Sequence, residues 1–233
     1  MLHTVLELPS VTQQALMDWR VTPGAIITVR DDQGTFYRAC WHHDGRHIHL
    51  FERLSAMMEP RWPRCLFQAI PDKQRMHWII QKGVELGATM IQPMYTARSN
   101  PFPDGEAGQQ HWRTWRKLAL SAARQCRRAV VPEIRFPVLL SSLLTDWQQQ
   151  PAAVSRLYAD LPPYGSPLRE WVRQPLQQAV DLLIGPEGGW SDQERQEMQS
   201  CGIAAVTLGS RVLRTETASV VALTILMVMD DAD

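Results

Sequence analysis

The chain has 233 residues, 45% of them apolar, and its 24 Lys and Arg are balanced by 24 Asp and Glu. One or two domains fit that length, the composition supports a packed core and excludes a disordered polymer, and a neutral net charge excludes an indiscriminate polyanion binder while leaving room for local patches. Cys40, Cys65, Cys126 and Cys201 are scattered without CxxC spacing, so neither a metal site nor a disulfide framework is expected, and reduced thiols in a cytosol fit best.

Residues 1–62 read as a small β-rich unit. Ala25–Val29, Phe36–Trp41 and Ile48–Phe51 are β-prone runs separated by the turn stretches Asp31–Gly34 and His42–Gly45, which is a hairpin pattern. His42, His43, His47 and His49 surround the second turn without acidic or cysteine partners at useful spacing, so no metal is assigned to them. Pro60 and Pro63 mark a linker. No basic stretch followed by an apolar one opens the chain, so a secretory signal is not read.

Residues 63–233 change rhythm. Cys65–Ile70 reads as a strand and Asp72–Leu86 as a helix stopped by Gly87. Met90–Tyr95 is a strand whose Pro93 favours an edge or an early end. A long helix covers about Gly105 to Ala129, and Leu157–Asp160, Asp181–Ile184 and Ala205–Leu208 are further strands. This alternation predicts an α/β class with a parallel sheet. The longest apolar run, Ala218 to Met229, is too short for a bilayer and reads as a buried terminal helix.

At about 100° per residue, Arg113, Arg116, Lys117, Arg124, Arg127 and Arg128 fall within an arc of about 120° on the long helix, opposite Trp112, Trp115, Ala119, Ala122 and Ala123. Like charges at i,i+4 repel, so an all-cationic face points to a polyanion such as an RNA backbone. A solvated face or a partner subunit is the other reading.

Two glycine-bearing loops hold the chemistry. Ile184-Gly185-Pro186-Glu187-Gly188-Gly189 follows a buried strand and meets Ser191-Asp192-Gln193-Glu194, a capping-box pattern. A strand, a tight loop and a helix N-terminus form the place where α/β sheets hold ligands, although a plain βα turn would look the same. There is no GK[ST], which sets a phosphate-binding P-loop aside. In the second loop, Leu208 and Gly209 end a strand, Arg211 and Arg214 crowd the turn, and Thr215 or Thr217 can cap the following helix. Trp190, just after the glycines, is the tryptophan placed nearest the site.

Together the loops resemble the signature of the RsmE family in the SPOUT superfamily of methyltransferases. The likeness extends upstream, in order: Lys73, Arg75, Trp78–Lys82 and Glu85-Leu86-Gly87; Pro93 and Arg98-Ser99; Ala122–Arg128 with Val131–Ile134. It covers roughly residues 65–229. In the N-terminal unit only Arg20, within Ala15–Val21, looks comparable.

The resemblance implies a trefoil-knot methyltransferase domain over residues 63–233, a PUA-like β-barrel RNA-binding domain over 1–62, a homodimer in the cytoplasm, and S-adenosylmethionine as methyl donor. It implies methylation of N3 of a uridine in 16S ribosomal RNA; the alternatives are a related enzyme acting on another rRNA or tRNA position, or an inert ribosome-assembly factor. Cofactor residues would be Ile184, Gly185, Pro186, Glu187, Gly188, Gly189, Leu208, Gly209, Leu213, Arg214, Thr217 and Ala218. RNA contacts would come from Arg20, Lys73, Lys82, Arg113, Arg116, Lys117, Arg124 and Arg127. Uridine N3 carries a proton, so cations must stabilise the developing anion: Arg214 with Arg98 or Arg128. Glu216 either accepts the proton or holds an arginine, and the second role is favoured because a carboxylate among arginines is a weak base.

Overall fold

The computed structural model describes residues 4–54, 59–149, 154–171 and 179–230. The chain divides into two units, Met1–Glu59 with Ala123–Val131, and Pro60–Ala122 with Pro132–Asp233.

In the first unit, β1 (Thr4–Glu7), α1 (Ser10–Asp18), β2 (Ile26–Arg30), β3 (Phe36–Trp41) and β4 (His47–Arg53) follow one another. The strands form an antiparallel sheet in the order β1-β4-β3-β2, with β1 and β2 at its edges. Both hairpin turns are set by aspartates. Asp31 Oδ1 accepts the amides of Gln33 and Thr35, and Asp44 Oδ1 those of Arg46 and His47. The amides of Arg46 and His47, with the His47 ring, hold the Asp44 carboxyl below the usual carboxylate range. Leu16, Trp41, Ile48 and Leu50 pack into the core. Neither β1 nor α1 stands out in the sequence: β1 is wholly exposed, and α1 buries only Leu16.

The remaining elements are β5 (Arg64–Ala69), α2 (Lys73–Glu85), β6 (Met90–Tyr95), α3 (Gly105–Gln125), β7 (Glu133–Ile134), β8 (Val138–Leu139), α4 (Leu140–Gln149), β9 (Val154–Asp160), β10 (Ser166–Pro167), α5 (Leu168–Trp171), β11 (Ala179–Ile184), α6 (Asp192–Ser200), β12 (Ala204–Thr207) and α7 (Thr215–Asp230). Their strands make one eight-stranded sheet in the order β10-β12-β9-β11-β5-β6-β7, with β8 also on β6. Every pairing within it is parallel. The central strand β11 is an almost unbroken apolar run, as a strand covered on both faces requires.

Pro93 does not mark an edge. β6 is paired on both sides, and Gln68 of β5 lies opposite the proline. On the far side β7 pairs with Met90 and Ile91, and β8 with Met94 and Tyr95. The interruption between those two short strands faces Gln92 and Pro93, where a proline has no N–H to donate. The Gln92 amide fills the gap by donating to the Phe136 carbonyl at 2.8 Å.

α2 starts at Asp72, whose side chain accepts the Arg75 amide at 2.9 Å. Met76, Ile79, Ile80, Gly83 and Val84 are its buried face, at the spacing of a helical stripe. It ends in a Schellman motif, with the Ala88 amide bonded to Gly83, the Gly87 amide to Val84, and Gly87 at φ +85°.

The long helix is shorter than the sequence pattern predicts. α3 stops at Gln125, because Arg127 takes φ +61° and the Arg128 amide turns back to the Ala123 carbonyl at 2.9 Å. Arg127 and Arg128 therefore leave the cationic stripe, which retains Arg113, Arg116, Lys117 and Arg124. Trp115 is buried against Phe102, and the half-buried Trp112 donates its indole N–H to Ile134, so both serve the core.

Candidate functional site at the carboxyl edge of the parallel sheet

The two glycine-bearing loops meet at the carboxyl ends of β9, β11 and β12, around a cavity of about 240 Å³. One wall is the stretch from Ile184 to Trp190. The other is Leu208, Gly209, Arg211, Val212 and Leu213, with Thr215 and Ala218 from the first turns of α7. Ala159, Asp160 and Leu161 at the end of β9, with Arg195 from α6, complete the lining.

The first loop is shaped by a tryptophan. Trp190 is buried, donates its indole N–H to the Ala159 carbonyl at 2.9 Å, and stands edge-on to Tyr158. A Cβ on Gly185 would come within 2.9 Å of its ring, so only a glycine lets the strand end lie against it. The Gly189 amide returns to Pro186 at 2.9 Å and closes the turn. Ser191 and Glu194 form the capping box that starts α6. The other Glu194 oxygen accepts the Ala97 amide at 2.8 Å, which brings the Arg98 segment to the loop. Arg98 then donates to the Gly188 carbonyl at 2.7 Å.

The second loop turns at Gly209, whose φ of +126° is open to glycine and to little else. Thr215 is the first residue of α7 and does not cap it. Its hydroxyl donates to the Gly185 carbonyl at 2.8 Å and accepts from Gln68 at 2.9 Å. Ser219, one turn on, donates to the Gln68 side-chain carbonyl at 2.6 Å. Gln68, Thr215 and Ser219 are all buried, so the chain leaving β12 comes back over β11 to be locked onto β5 by a satisfied polar network.

Ten of the cofactor residues read from the sequence line this cavity: Ile184, Gly185, Pro186, Glu187, Gly188, Gly189, Leu208, Gly209, Leu213 and Ala218. Arg214 is exposed and Thr217 half-buried, and neither is part of the lining. Glu216 faces α2, with Oε1 3.6 Å from the Arg75 Nε and Oε2 buried without a hydrogen-bond partner. Arg128 is not in the lining either. It is buried in the first unit, where its guanidinium is paired with Glu59 at 2.5 Å and Glu59 also accepts the Ala129 and Val130 amides.

Eight lining residues lie outside that set: Ala159, Asp160, Leu161, Trp190, Arg195, Arg211, Val212 and Thr215. The sequence places Trp190 near the site and offers Thr215 only as a helix cap. Asp160 and Arg195 form an ion pair at 2.7 Å, and that hydrogen bond pushes the Arg195 guanidinium above its ordinary range. Asp160 had one legible signal, since it ends a parallel strand; Arg195 had none until α6 turned it inward, where it stacks over Tyr164 at 4.4 Å.

Among the cations read as RNA contacts, Arg113, Arg116, Lys117 and Lys73 are exposed, and Arg116 lies over the Trp112 ring at 4.9 Å. Lys82 is taken up by Glu85 at 2.8 Å. In the first unit Arg124 donates to the Trp19 carbonyl at 2.9 Å, beside Arg20, while the Arg127 carbonyl accepts from Thr28 at 2.7 Å. Among the described residues no His, Cys, Asp and Glu group is arranged to hold a metal, and no helix is long and apolar enough to cross a membrane.

Known proteins resemble this chain in sequence and fold. The profile of the RNA methyltransferase domain matches residues 58–227. The ribosomal RNA small subunit methyltransferase E of Mycobacterium bovis is 30% identical over 211 residues, which are 88% of this chain and 78% of that protein. Its counterpart in Buchnera aphidicola is 29% identical over 182 residues, 78% of this chain and 70% of the relative. The crystal structure of the Neisseria gonorrhoeae ribosomal RNA small subunit methyltransferase E bound to S-adenosylmethionine superposes with a TM-score of 0.72 at 27% identity, covering 98% of this chain and 93% of that one.

Proposed function

The chain belongs to the RNA methyltransferase domain family and, within it, to the ribosomal RNA small subunit methyltransferase E proteins; from that premise we propose that it transfers a methyl group from S-adenosylmethionine to N3 of a uridine in small-subunit ribosomal RNA. The observation that carries this reading is the cavity itself, in which two glycine-bearing loops converge on one polar and apolar cleft at the carboxyl edge of a parallel sheet.

The cleft suits that cofactor. Ile184, Leu208, Leu213 and Ala218 offer apolar walls for a flat adenine, and glycines in both loops let the backbone approach it closely. Asp160 and Arg195 give the cleft a polar end, with a carboxylate for hydroxyl or ammonium groups and a guanidinium for a carboxylate. The chemistry supplied by the bound cofactor is an electrophilic methyl group on sulfur.

The chain's own residues then have to place uridine N3 in line with that methyl and ease the loss of its proton. Alignment in a closed cleft lowers the barrier by several kcal/mol, ~7–11 for well-oriented intramolecular reactions. Arg214 supplies positive charge to the uracil oxygens as the anion develops. Arg98 acts on the loop, through Gly188, and Glu216 orients an arginine, namely Arg75. Arg20, Arg113, Arg116, Lys117, Arg124 and Arg127, with Lys73, track the RNA backbone. Residues 1–62 present the RNA and residues 63–233 carry the transfer. A homodimer completes the reading, supported by Val212 and Leu161, apolar residues exposed on the rim of the cleft, and the cytoplasm is the compartment that a ribosomal RNA substrate implies.

The reading is tested in cells lacking the gene. Mass spectrometry of their 16S rRNA should show one N3-methyluridine missing and restored by the wild-type chain but not by Arg214→Ala. Unchanged 16S rRNA, with a methyl missing from another RNA instead, would mean that the target is wrong.

A further inference from the structure

Arg75 lies in the first turn of α2, yet its guanidinium is shared among three carboxylates from separate parts of the chain. Asp72, the N-cap of its own helix, is 2.9 Å from Nη1. Glu187, in the middle of the loop after β11, receives a hydrogen bond from the same nitrogen. Glu216, in the first turn of α7, has Oε1 3.6 Å from Nε.

The last two carboxylates stand on the segments that wall the cavity, Glu187 in the first loop and Glu216 just after the second, beside Thr215. They carry like charge, and without a cation between them they would push the loops apart. Arginine suits the position, because its planar fork serves several carboxylates at once where a lysine ammonium is a single point charge. The neighbours make the contact consequential. Glu216 is only 15% exposed and its Oε2 has no hydrogen-bond partner, so Arg75 is its compensating charge. Glu216 also adjoins Thr215, whose hydroxyl holds the Gly185 carbonyl. Releasing Arg75 would loosen both walls, although Arg75 itself does not line the cavity.

We propose that Arg75 is the latch that holds the two loops at the spacing in which they bind the cofactor, a positioning residue that reaches the ligand through Glu187 and Glu216 without touching it. The proposal rests on the reading of the cavity as the S-adenosylmethionine site.

The test is calorimetric titration of S-adenosylmethionine and S-adenosylhomocysteine into the full chain, without RNA. R75Q should bind both about tenfold more weakly than wild type, about 1.4 kcal/mol, and R75K should recover only part of the loss. E187Q alone should weaken binding about threefold, and R75Q/E187Q should bind no more weakly than R75Q, because the latch is already open. In steady-state methylation the defect should appear in the KM for the cofactor, with kcat at saturating cofactor within twofold. Wild-type affinity in R75Q, or single losses that multiply in the double variant, would overturn the latch. A merely structural arginine would lower the melting temperature and leave the affinities in place. Should R75Q fail to fold, wild-type affinity in E187Q, whose side chain is half exposed, overturns the proposal equally. A wild-type chain that binds neither compound refutes the cavity reading, an outcome distinct from failure of the latch.

Discussion

Thr215 Oγ1 donates to the Gly185 carbonyl oxygen across 2.8 Å and so ties the start of the terminal helix to a loop 30 residues earlier. The same hydroxyl accepts from Gln68, whose side-chain carbonyl accepts from Ser219. One threonine therefore joins β5, the loop after β11 and α7, the parts that make both walls of the cleft.

Replacing Thr215 by valine keeps the shape and removes the hydroxyl. The Gly185 carbonyl loses its donor, and one Gln68 N–H loses its acceptor in a buried site. Leaving a buried polar group unmatched costs about 1–3 kcal/mol. T215V should lower the melting temperature by several degrees in a thermal scan and weaken cofactor binding in the same preparation. A variant with wild-type melting and binding would show that the network is not what joins the loops.

Gly185 sits under stricter control than Gly209. A methyl on Gly185 would meet the Trp190 ring at 2.9 Å, whereas one on Gly209 meets nothing within 4 Å and suffers only from its backbone angle. Trp190 is buried and cannot retreat, so G185A should displace the strand end and abolish measurable cofactor binding. G209A should retain binding at reduced affinity, at a backbone cost of about 1–3 kcal/mol. Equal effects in a binding titration would contradict this difference between the two loops.

Among the described residues, four helices end in the same motif with different residues at its left-handed position. α2 and α6 use Gly87 and Gly202, while α1 and α3 use Arg20 at φ +52° and Arg127 at φ +61°. An arginine there costs about 1 kcal/mol that glycine would not. The sequence offers both arginines as RNA contacts, and a strained backbone kept by a side chain motivates a functional role for that side chain. R20G and R127G should each raise stability by only about 0–0.5 kcal/mol, because the extra freedom glycine gives the unfolded chain offsets much of the relieved strain, and weaken RNA binding. Each should also flatten the salt dependence of binding, by about 0.7–0.9 in the log–log slope per lost phosphate contact. Unchanged RNA affinity with raised stability would remove both residues from the RNA surface.

Cys65 gives a pH prediction. Burial pushes its thiol from 9.0 up to about 11, and the Asp181 carboxylate adds to the rise. The folded state then holds this proton more tightly than the unfolded state, so the contribution is intact below pH 9 and is lost between pH 9 and 11. Denaturant unfolding should show wild type losing stability over that window more steeply than C65A. Parallel curves would mean that the thiol titrates in the folded chain as it does in the unfolded one.

Much of the cleft was legible in the sequence because it is made of backbone. Glycines at fixed spacing, a capping box after Trp190 and an apolar strand before them are local signals, and they fall where the lining residues are. Side chains that act across long separations were not. Gln68 reads as a stray polar residue in a strand until Thr215 and Ser219 meet it from 147 and 151 residues away. Asp160 and Arg195 are 35 apart and gain meaning only as a pair. The helix end at Gln125 is hidden from the sequence because an arginine stands where glycine normally signals the stop. Helical spacing puts Arg128 on the cationic face, but the turn after Gln125 carries it to Glu59.

The central claim, methyl transfer to a uridine of small-subunit ribosomal RNA, is tested most directly with purified small subunits that lack the modification, incubated with the chain and S-adenosylmethionine labelled in its methyl group. The label should appear at one uridine, as N3-methyluridine on nuclease digestion and mass spectrometry, and should fall to background with Arg214→Ala at saturating cofactor. Label on a ribose, on another base or on no RNA at all, from a chain that binds the cofactor, would contradict it.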